Sequence, residues 1–250
     1  MSAAPLKNKN ILVTGAAIRL GNAITKALAT AGANIIIHYR NSATEADDLA
    51  KLVESTGCQA WCVQSNLDTP EGAESMFANA VNIAGKVSGL VNNAAVFARG
   101  SLLDTPLDAF GNFWQINTLV PVALTRALFL HLRSVASDNE ARPLGRVVNL
   151  LDQRITRPAA HNLAYGISKQ ALAEFTRGAA LELAPDITVN GVAPGAVLPP
   201  PKGSDRELAG HIPAGVRPTA EQVADAVVFL MCQTAITGQI LFVDGGQHLL

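Results

Sequence analysis

Tyr165 and Lys169 stand four residues apart in a helix-patterned stretch, so their side chains share one helix face. An ammonium close to a phenol favours the phenolate and lowers the phenol pKa, which makes tyrosine a usable proton donor or acceptor near neutral pH. Thirteen residues before Tyr165, Asp152 follows a strand-like run, and Asn117 adds an amide from a neighbouring helical element. An ionised aspartate only accepts hydrogen bonds, so Asp152 suits a substrate that carries N–H donors or must be protonated. Buried and protonated, it would itself supply a proton. A lone Tyr-x-x-x-Lys is common and carries little weight. Here it accompanies Thr14-Gly15-Ala16-Ala17-Ile18-Arg19-Leu20-Gly21, whose small residues keep a strand-to-helix turn thin enough for a phosphate to reach backbone N–H groups at the helix N-terminus. A third segment, Asn92-Asn93-Ala94-Ala95, offers asparagines to tie strand ends together and alanines that leave space above a sheet.

These residues need a scaffold, and the apolar pattern supplies one. Short, nearly continuous hydrophobic runs at Asn10–Thr14, Asn34–Tyr39, Gln59–Ser65, Ser88–Asn92, Arg146–Leu151, Thr188–Ala193 and Gln239–Val243 read as parallel strands buried on both faces. Helical periodicity fills the intervals at Gly21–Ala31, Thr44–Glu54, Glu71–Ala84, Asp108–Leu132, Asn162–Leu183 and Ala220–Cys232. The alternation predicts one α/β domain over 1–250, a doubly wound parallel sheet with helices on both faces. Asp152 and the glycine loop then fall at the carboxyl edge, where open α/β sheets bind ligands. The segment Pro194–Pro218, with six prolines and four glycines, follows the sixth strand and reads as a substrate loop on that edge.

The chain has 250 residues, of which 49% are hydrophobic and 16% charged, which suits a sizeable core and excludes a disordered chain. Lys+Arg of 19 against Asp+Glu of 20 gives a net charge of −1, no electrostatic footprint for nucleic acid and no basic face for a membrane. The expected partner is a small molecule. No apolar run reaches the ~20 residues of a spanning helix; Thr118–Leu132 is interrupted by Pro121, Arg126 and His131. The opening residues lack an apolar signal core. Cys58, Cys62 and Cys232 are an odd number in a long chain, which fits a reducing compartment, and the expected location is the cytoplasm. Cys58 and Cys62 have no His or second Cys pair to complete a zinc set, so they read as buried small hydrophobes and no metal is expected.

Taken together, the glycine loop, the Asn-Asn-Ala segment and the Asn117, Asp152, Tyr165, Lys169 series resemble the short-chain dehydrogenase/reductase family. That family has a Thr-Gly-x-x-x-Gly-x-Gly loop, an Asn-Asn-Ala-Gly segment and an Asn–Ser–Tyr–Lys tetrad. Arg19 stands here for the middle glycine, Ala95 for the last glycine of the second motif, and Asp152 for the serine. The likeness runs on through Asn190–Gly195 to Thr237-Gly238 and Val243-Asp244-Gly245-Gly246, essentially the whole chain. Arg19, His38-Tyr39-Arg40-Asn41-Ser42 and the Asp152 substitution are similar to the branch of pteridine reductases and dihydromonapterin reductases.

The resemblance implies a Rossmann-like fold of about seven parallel strands and a homo-oligomer built on paired long helices, a tetramer favoured over a dimer. It implies hydride transfer from a nicotinamide cofactor. No acidic residue stands at the end of the second strand before Glu45 to hold a ribose 2′-hydroxyl, whereas Arg19, Arg40 and Ser42 suit a 2′-phosphate. NADP(H) is therefore the expected cofactor. By the same likeness Gly15, Arg19, Leu20, Gly21, His38, Tyr39, Arg40, Ser42, Asn66, Leu67, Asn93, Ala94, Tyr165, Lys169, Pro194 and Gly195 would hold it, with Asn66 where the family has an aspartate. Tyr165 would supply the proton, Lys169 would lower its pKa, and Asn117 would hold a water of the relay. Phe97, an aromatic shortly after the Asn-Asn-Ala segment, would stack on a planar substrate beside Arg19, Asp152 and Tyr165.

Three readings follow: an NADPH-dependent pteridine or dihydropterin reductase, an NADPH-dependent carbonyl reductase acting on ketones or 3-oxoacyl compounds, and a non-catalytic NADP(H)-binding sensor. Asp152, Phe97 and Arg19 favour the first. Intact Tyr165 and Lys169 count against the third.

Overall fold

β-branched runs alternating with amphipathic stretches leave each strand needing cover on two faces, and the chain supplies it by crossing back over the sheet after nearly every strand. The computed structural model describes residues 4–137, 139–157, 160–197 and 212–250. Seven strands, β1 (Asn10–Val13), β2 (Asn34–Tyr39), β3 (Ala60–Gln64), β4 (Val87–Asn92), β5 (Gly145–Leu150), β6 (Ile187–Pro194) and β7 (Ile240–Val243), form one sheet. Their order is β3-β2-β1-β4-β5-β6-β7, and every pair is parallel. The direction of winding reverses between β1 and β4. This switch point opens a crevice at the carboxyl edge, flanked by the glycine loop after β1 and the Asn93-Ala94 turn after β4.

Side chains alternate across the sheet. Ile11, Val13, Ile35 and Ile37 pack on one face with Ile24 and Leu28 of α1 (Arg19–Thr30), Leu49 of α2 (Ala43–Ser55) and Val223 and Val227 of the last helix, α7 (Ala220–Cys232). Leu12, Ile36 and Leu90 pack on the other with α3 (Pro70–Ala84), α5 (Val120–Val135) and α6 (Leu163–Glu182). The seven strands and six helical regions expected from periodicity are all present, with ends displaced by no more than a few residues.

One expected element is divided. The stretch Asp108–Leu132 reads as a single helix, yet the structure breaks it into α4 (Leu107–Trp114), a π turn at Gln115–Leu119, and α5. Pro121 has no N–H to give the carbonyl of Asn117 four residues back, and Val120 N–H reaches Gln115 O across five residues. Residues 107–135 together form a helical stretch long and apolar enough to cross a membrane by length and composition, which counting unbroken apolar runs did not reveal. In this fold Leu124, Leu128 and Leu132 of that stretch are buried against the sheet. Cys58 and Cys62, expected inside, are half-buried at its edge, with thiols donating to the main-chain oxygens of Ala29 and Ala46.

Two buried polar ties cross the carboxyl half of the sheet. Asn92 Nδ2 donates to Asn149 Oδ1 at 2.8 Å, and Asn149 Nδ2 donates to Thr176 Oγ1 at 2.9 Å, linking β4, β5 and α6. Removing the middle of this chain leaves the Asn92 amide without its acceptor in a water-free interior. Asn149→Leu is expected to destabilise the protein by roughly 2–3 kcal/mol, read as a lower urea midpoint with unchanged m-value.

Candidate active site

Thr14 directly follows β1, and its hydroxyl is the hub of the switch point. It accepts from the N–H groups of Asn93 and Ala94, both at 2.9 Å, and lies 3.3 Å from Val91 O as donor. Asn93 Nδ2 returns to Thr14 O at 2.8 Å and Gly15 O at 3.0 Å. The turn after β1 and the turn after β4 are thereby fixed to each other. Gly15 has φ +61°, and a Cβ on Gly21 would run into Gly15 O, so both glycines are required by geometry. Arg19 also lies in the left-handed region, at φ 53°, which explains why a glycine would be at ease there. An arginine in that backbone costs about 1 kcal/mol.

Beside these turns lies a cavity of about 320 Å³. Of the residues expected to hold a cofactor, Gly15, Arg19, Leu20, Gly21, His38, Arg40, Leu67, Asn93 and Ala94 line it, joined by Asp68 and Val96. Thin glycine turns, two exposed guanidinium groups and a floor of small side chains fit a dinucleotide carrying an additional phosphate. The other expected residues are not among those lining this cavity. Tyr39 packs against the core beneath α1 and α2. Ser42 is the N-cap of α2 and makes no side-chain capping bond. Asn66 is exposed, next to Leu67 and Asp68, which line the cavity. Gly195 N–H donates to Val243 O just past the carboxyl end of β6, next to Pro194, where a Cβ would meet Asp244. Of the expected substrate loop 194–218, positions 198–211 lie outside the described residues.

His38 is a tie rather than a charged contact. Its Nδ1 accepts from Gly15 N at 3.0 Å and its Nε2 faces Ser65 O at 3.2 Å, so the neutral ring with the proton on Nε2 satisfies both. Burial pushes its pKa down to about 4, against a small opposing pull from Ser65 O.

The second group of residues collects at the end of β5. The Tyr165 hydroxyl donates to Asp152 Oδ2 at 3.1 Å. Lys169 is 3% exposed, and its Nζ donates to Leu150 O at 2.7 Å. Burial lowers the Lys169 pKa to about 8, with the Asp152 charge working the other way. The spacing-based expectation that Lys169 makes Tyr165 more acidic is reversed here. Burial holds the phenol well above its usual value, and the charge and hydrogen bond of Asp152 push in the same direction. Shared helix face brought the two groups near one another, but the ammonium is directed to the strand and the carboxylate faces the hydroxyl.

Asn117 is tied down from two sides. It lies in the π turn, fully buried, with Oδ1 accepting from Val96 N at 2.9 Å and Nδ2 donating to Val96 O and Ser168 Oγ. Its side-chain amide braces the segment after β4 against α6, while Pro121 leaves its main-chain oxygen without the usual helical donor. Thr118 adds a bond from its hydroxyl to Ser168 O at 2.9 Å. Phe97 is 54% exposed and stands edge-on to Tyr165, centroids 4.9 Å apart at 88°. Phe113 contacts Tyr165 from a second side, also edge-on.

Thr14, Asp68 and Arg154 take part without having been singled out in the sequence. Thr14 was visible only as the first residue of the loop. Arg154, in the 3-10 turn Gln153–Thr156, grips Asp152, and its signal was a cation two residues beyond an aspartate at a strand end.

Comparison with known proteins gives a consistent picture. The family model described as enoyl-(acyl carrier protein) reductase matches residues 15–248. Uncharacterized oxidoreductase YmfI of Bacillus subtilis is 32% identical over 253 positions, covering 96% of this chain and 99% of that protein. Pteridine reductase 1 of Leishmania tarentolae is 32% identical over 281 positions, covering 95% and 96%. The crystal structure of FolM alternative dihydrofolate reductase 1 from Brucella canis, complexed with NADP, matches with a TM-score of 0.88 at 30% identity, covering 99% of this chain and 96% of that one.

The His38 tie has a pH signature. Its folded pKa, about 4, lies below its ordinary 6.5, so the unfolded chain takes up the proton first as pH falls. Stability from the neutral ring is complete above pH 6.5 and is lost between 6.5 and about 4. The loss amounts to at most about 3 kcal/mol. Thermal unfolding across this range should show a steep acid decline in the wild type and a shallower one in His38→Gln.

Proposed function

The chain belongs to the short-chain dehydrogenase/reductase family and is an NADP(H)-dependent oxidoreductase, and from that premise we propose that it reduces a pteridine of the dihydropterin type at an electron-poor C=N carbon. When bound, NADPH supplies the hydride. Gly15, Gly21, Asn93 and Ala94 shape the turns that admit its phosphates, and Arg19 and Arg40 are the cations available to the additional one.

Tyr165 is the proton donor. Its pKa, held up by burial and by Asp152, keeps the hydroxyl protonated at neutral pH, which is the form that reduction requires. Lys169, fixed to the end of β5, is placed next to the helix turn that carries Tyr165 and is the group available to a cofactor ribose. Asn117 acts as a brace for Val96 and Ser168.

The observation that carries the pterin reading is the Tyr165–Asp152 hydrogen bond. A hydroxyl-bearing serine in that place would donate to a ketone oxygen, whereas a carboxylate offers acceptors and repels one. A pterin ring presents an N–H group that Asp152 Oδ2 can take when the Tyr165 hydroxyl turns to the substrate. The exposed ring of Phe97 beside Tyr165 gives a planar substrate an aromatic edge to lie against. Two of the similar proteins are by name a pteridine reductase and an alternative dihydrofolate reductase, which supports the same reading. The membership in a family of oxidoreductases sets aside the non-catalytic sensor.

NADPH oxidation with dihydropterins, measured beside a panel of ketones and 3-oxoacyl thioesters, tests the proposal. Dihydropterin turnover is expected, with kcat falling about a hundredfold or more in Tyr165→Phe and about tenfold or more in Asp152→Ser. Turnover of ketones alone, undiminished in Asp152→Ser, would identify a carbonyl reductase and overturn the pterin assignment.

A further inference from the structure

An aspartate at the end of a strand has a broad, roughly two-fold torsion about its carboxylate, so nothing in its covalent structure aims one oxygen at a particular partner. Asp152 is nevertheless aimed. Oδ1 accepts from Arg154 N at 2.9 Å and from Arg154 Nη1 at 3.2 Å. Oδ2 accepts from Arg154 Nη1 at 3.0 Å and from the Tyr165 hydroxyl at 3.1 Å. Three of these four contacts come from one residue. The main-chain contact depends on the 3-10 turn that starts directly after Asp152, and the side-chain contacts depend on the guanidinium folding back over it.

Burial makes these contacts consequential. The ion-paired side chains are 13% exposed for Asp152 and 31% for Arg154, so solvent is a poor substitute for either partner. A half-buried carboxylate deprived of its cation is costly and turns toward whatever donor it can find. Arg154 also opposes the influence of Asp152 on the phenol, since its positive charge lowers the Tyr165 pKa where the carboxylate raises it. Arg154 does not line the dinucleotide cavity.

We propose that Arg154 is a positioning residue of this active site, gripping Asp152 through its main-chain N–H and its guanidinium together so that Oδ2 stays aimed at the Tyr165 hydroxyl. The inference rests on Tyr165 as proton donor and Asp152 as its partner, as proposed above, and is independent of which substrate is reduced. Residue 154 consequently acts through Asp152. Its loss alters the chemical step, leaves nucleotide binding alone, and has nothing to act upon once Asp152 is gone.

A double-mutant cycle tests this, with kcat measured on whichever substrate the wild type turns over and NADPH affinity measured by fluorescence. R154Q is expected to lower kcat about tenfold, as a misaligned catalytic group does, with NADPH affinity within about twofold of wild type. R154K, which keeps the charge but not the planar fork, should recover part of the loss. Added to D152S, R154Q should cost no further activity. A wild-type kcat in R154Q, or a loss that multiplies fully on top of D152S, overturns the proposal. Should R154Q fail to bind NADPH through misfolding, R154K carries the same cycle. An approximately threefold fall that disappears in D152S supports the proposal, and a fall that persists there overturns it. Tyr165→Phe separates the two claims, because residual activity unaffected by that change would remove the proton-donor reading itself.

Discussion

The Tyr165 hydroxyl donates to Asp152, and much of the surrounding architecture follows from making that contact possible. A buried phenol needs an acceptor, a half-buried carboxylate needs donors and a cation, and both must reach the same point from different elements. Tyr165 arrives on the first turns of α6, which Asn117 and Thr118 fasten through Ser168. Asp152 arrives from β5, and Arg154 in the next turn fixes its orientation. Lys169 joins the two by bonding to the last residue of the strand, Leu150. Burial and the Asp152 charge both favour the protonated phenol.

The nucleotide side of the molecule is connected to this centre through the segment after β4. Asn93 and Ala94 are held to Thr14 beside the glycine turn, and Val96, two residues on, is clasped by Asn117. The π turn that carries Asn117 is therefore part of one rigid path from the dinucleotide cavity to Tyr165. Pro121 is a local reason for that turn, since it withdraws the donor Asn117 O would otherwise receive. His38 closes the opposite end of the path by holding Gly15 from β2 with an uncharged ring.

The sheet and the location of the site were legible because they are written in short-range patterns. Hydrophobic runs gave the strands, and the glycine-rich turn and the Tyr165–Lys169 spacing indicated which edge carries the chemistry. Electrostatics was less legible, because an i, i+4 spacing specifies a shared face and not which atom each charge addresses. Lys169 turns to β5, and Tyr165 turns to Asp152. Arg154 was missed because its side chain reverses onto a residue two positions earlier, a feature of one 3-10 turn with no periodic signature. Tyr39 packs with the core on the face of β2 that carries Ile35 and Ile37, whereas Ser42 starts α2 and Asn66 is exposed.

The most direct test of where the proton rests uses the fact that the chain contains only two tyrosines, Tyr39 and Tyr165. In Tyr39→Phe, the ultraviolet phenolate band reports Tyr165 alone as pH is raised. With Asp152 and burial holding the proton, no phenolate should form up to the ordinary tyrosine value of about 10, and Asp152→Asn should bring its onset to lower pH. A phenolate that forms with a midpoint below that ordinary value, unchanged by Asp152→Asn, would contradict the account and return the control of Tyr165 to Lys169.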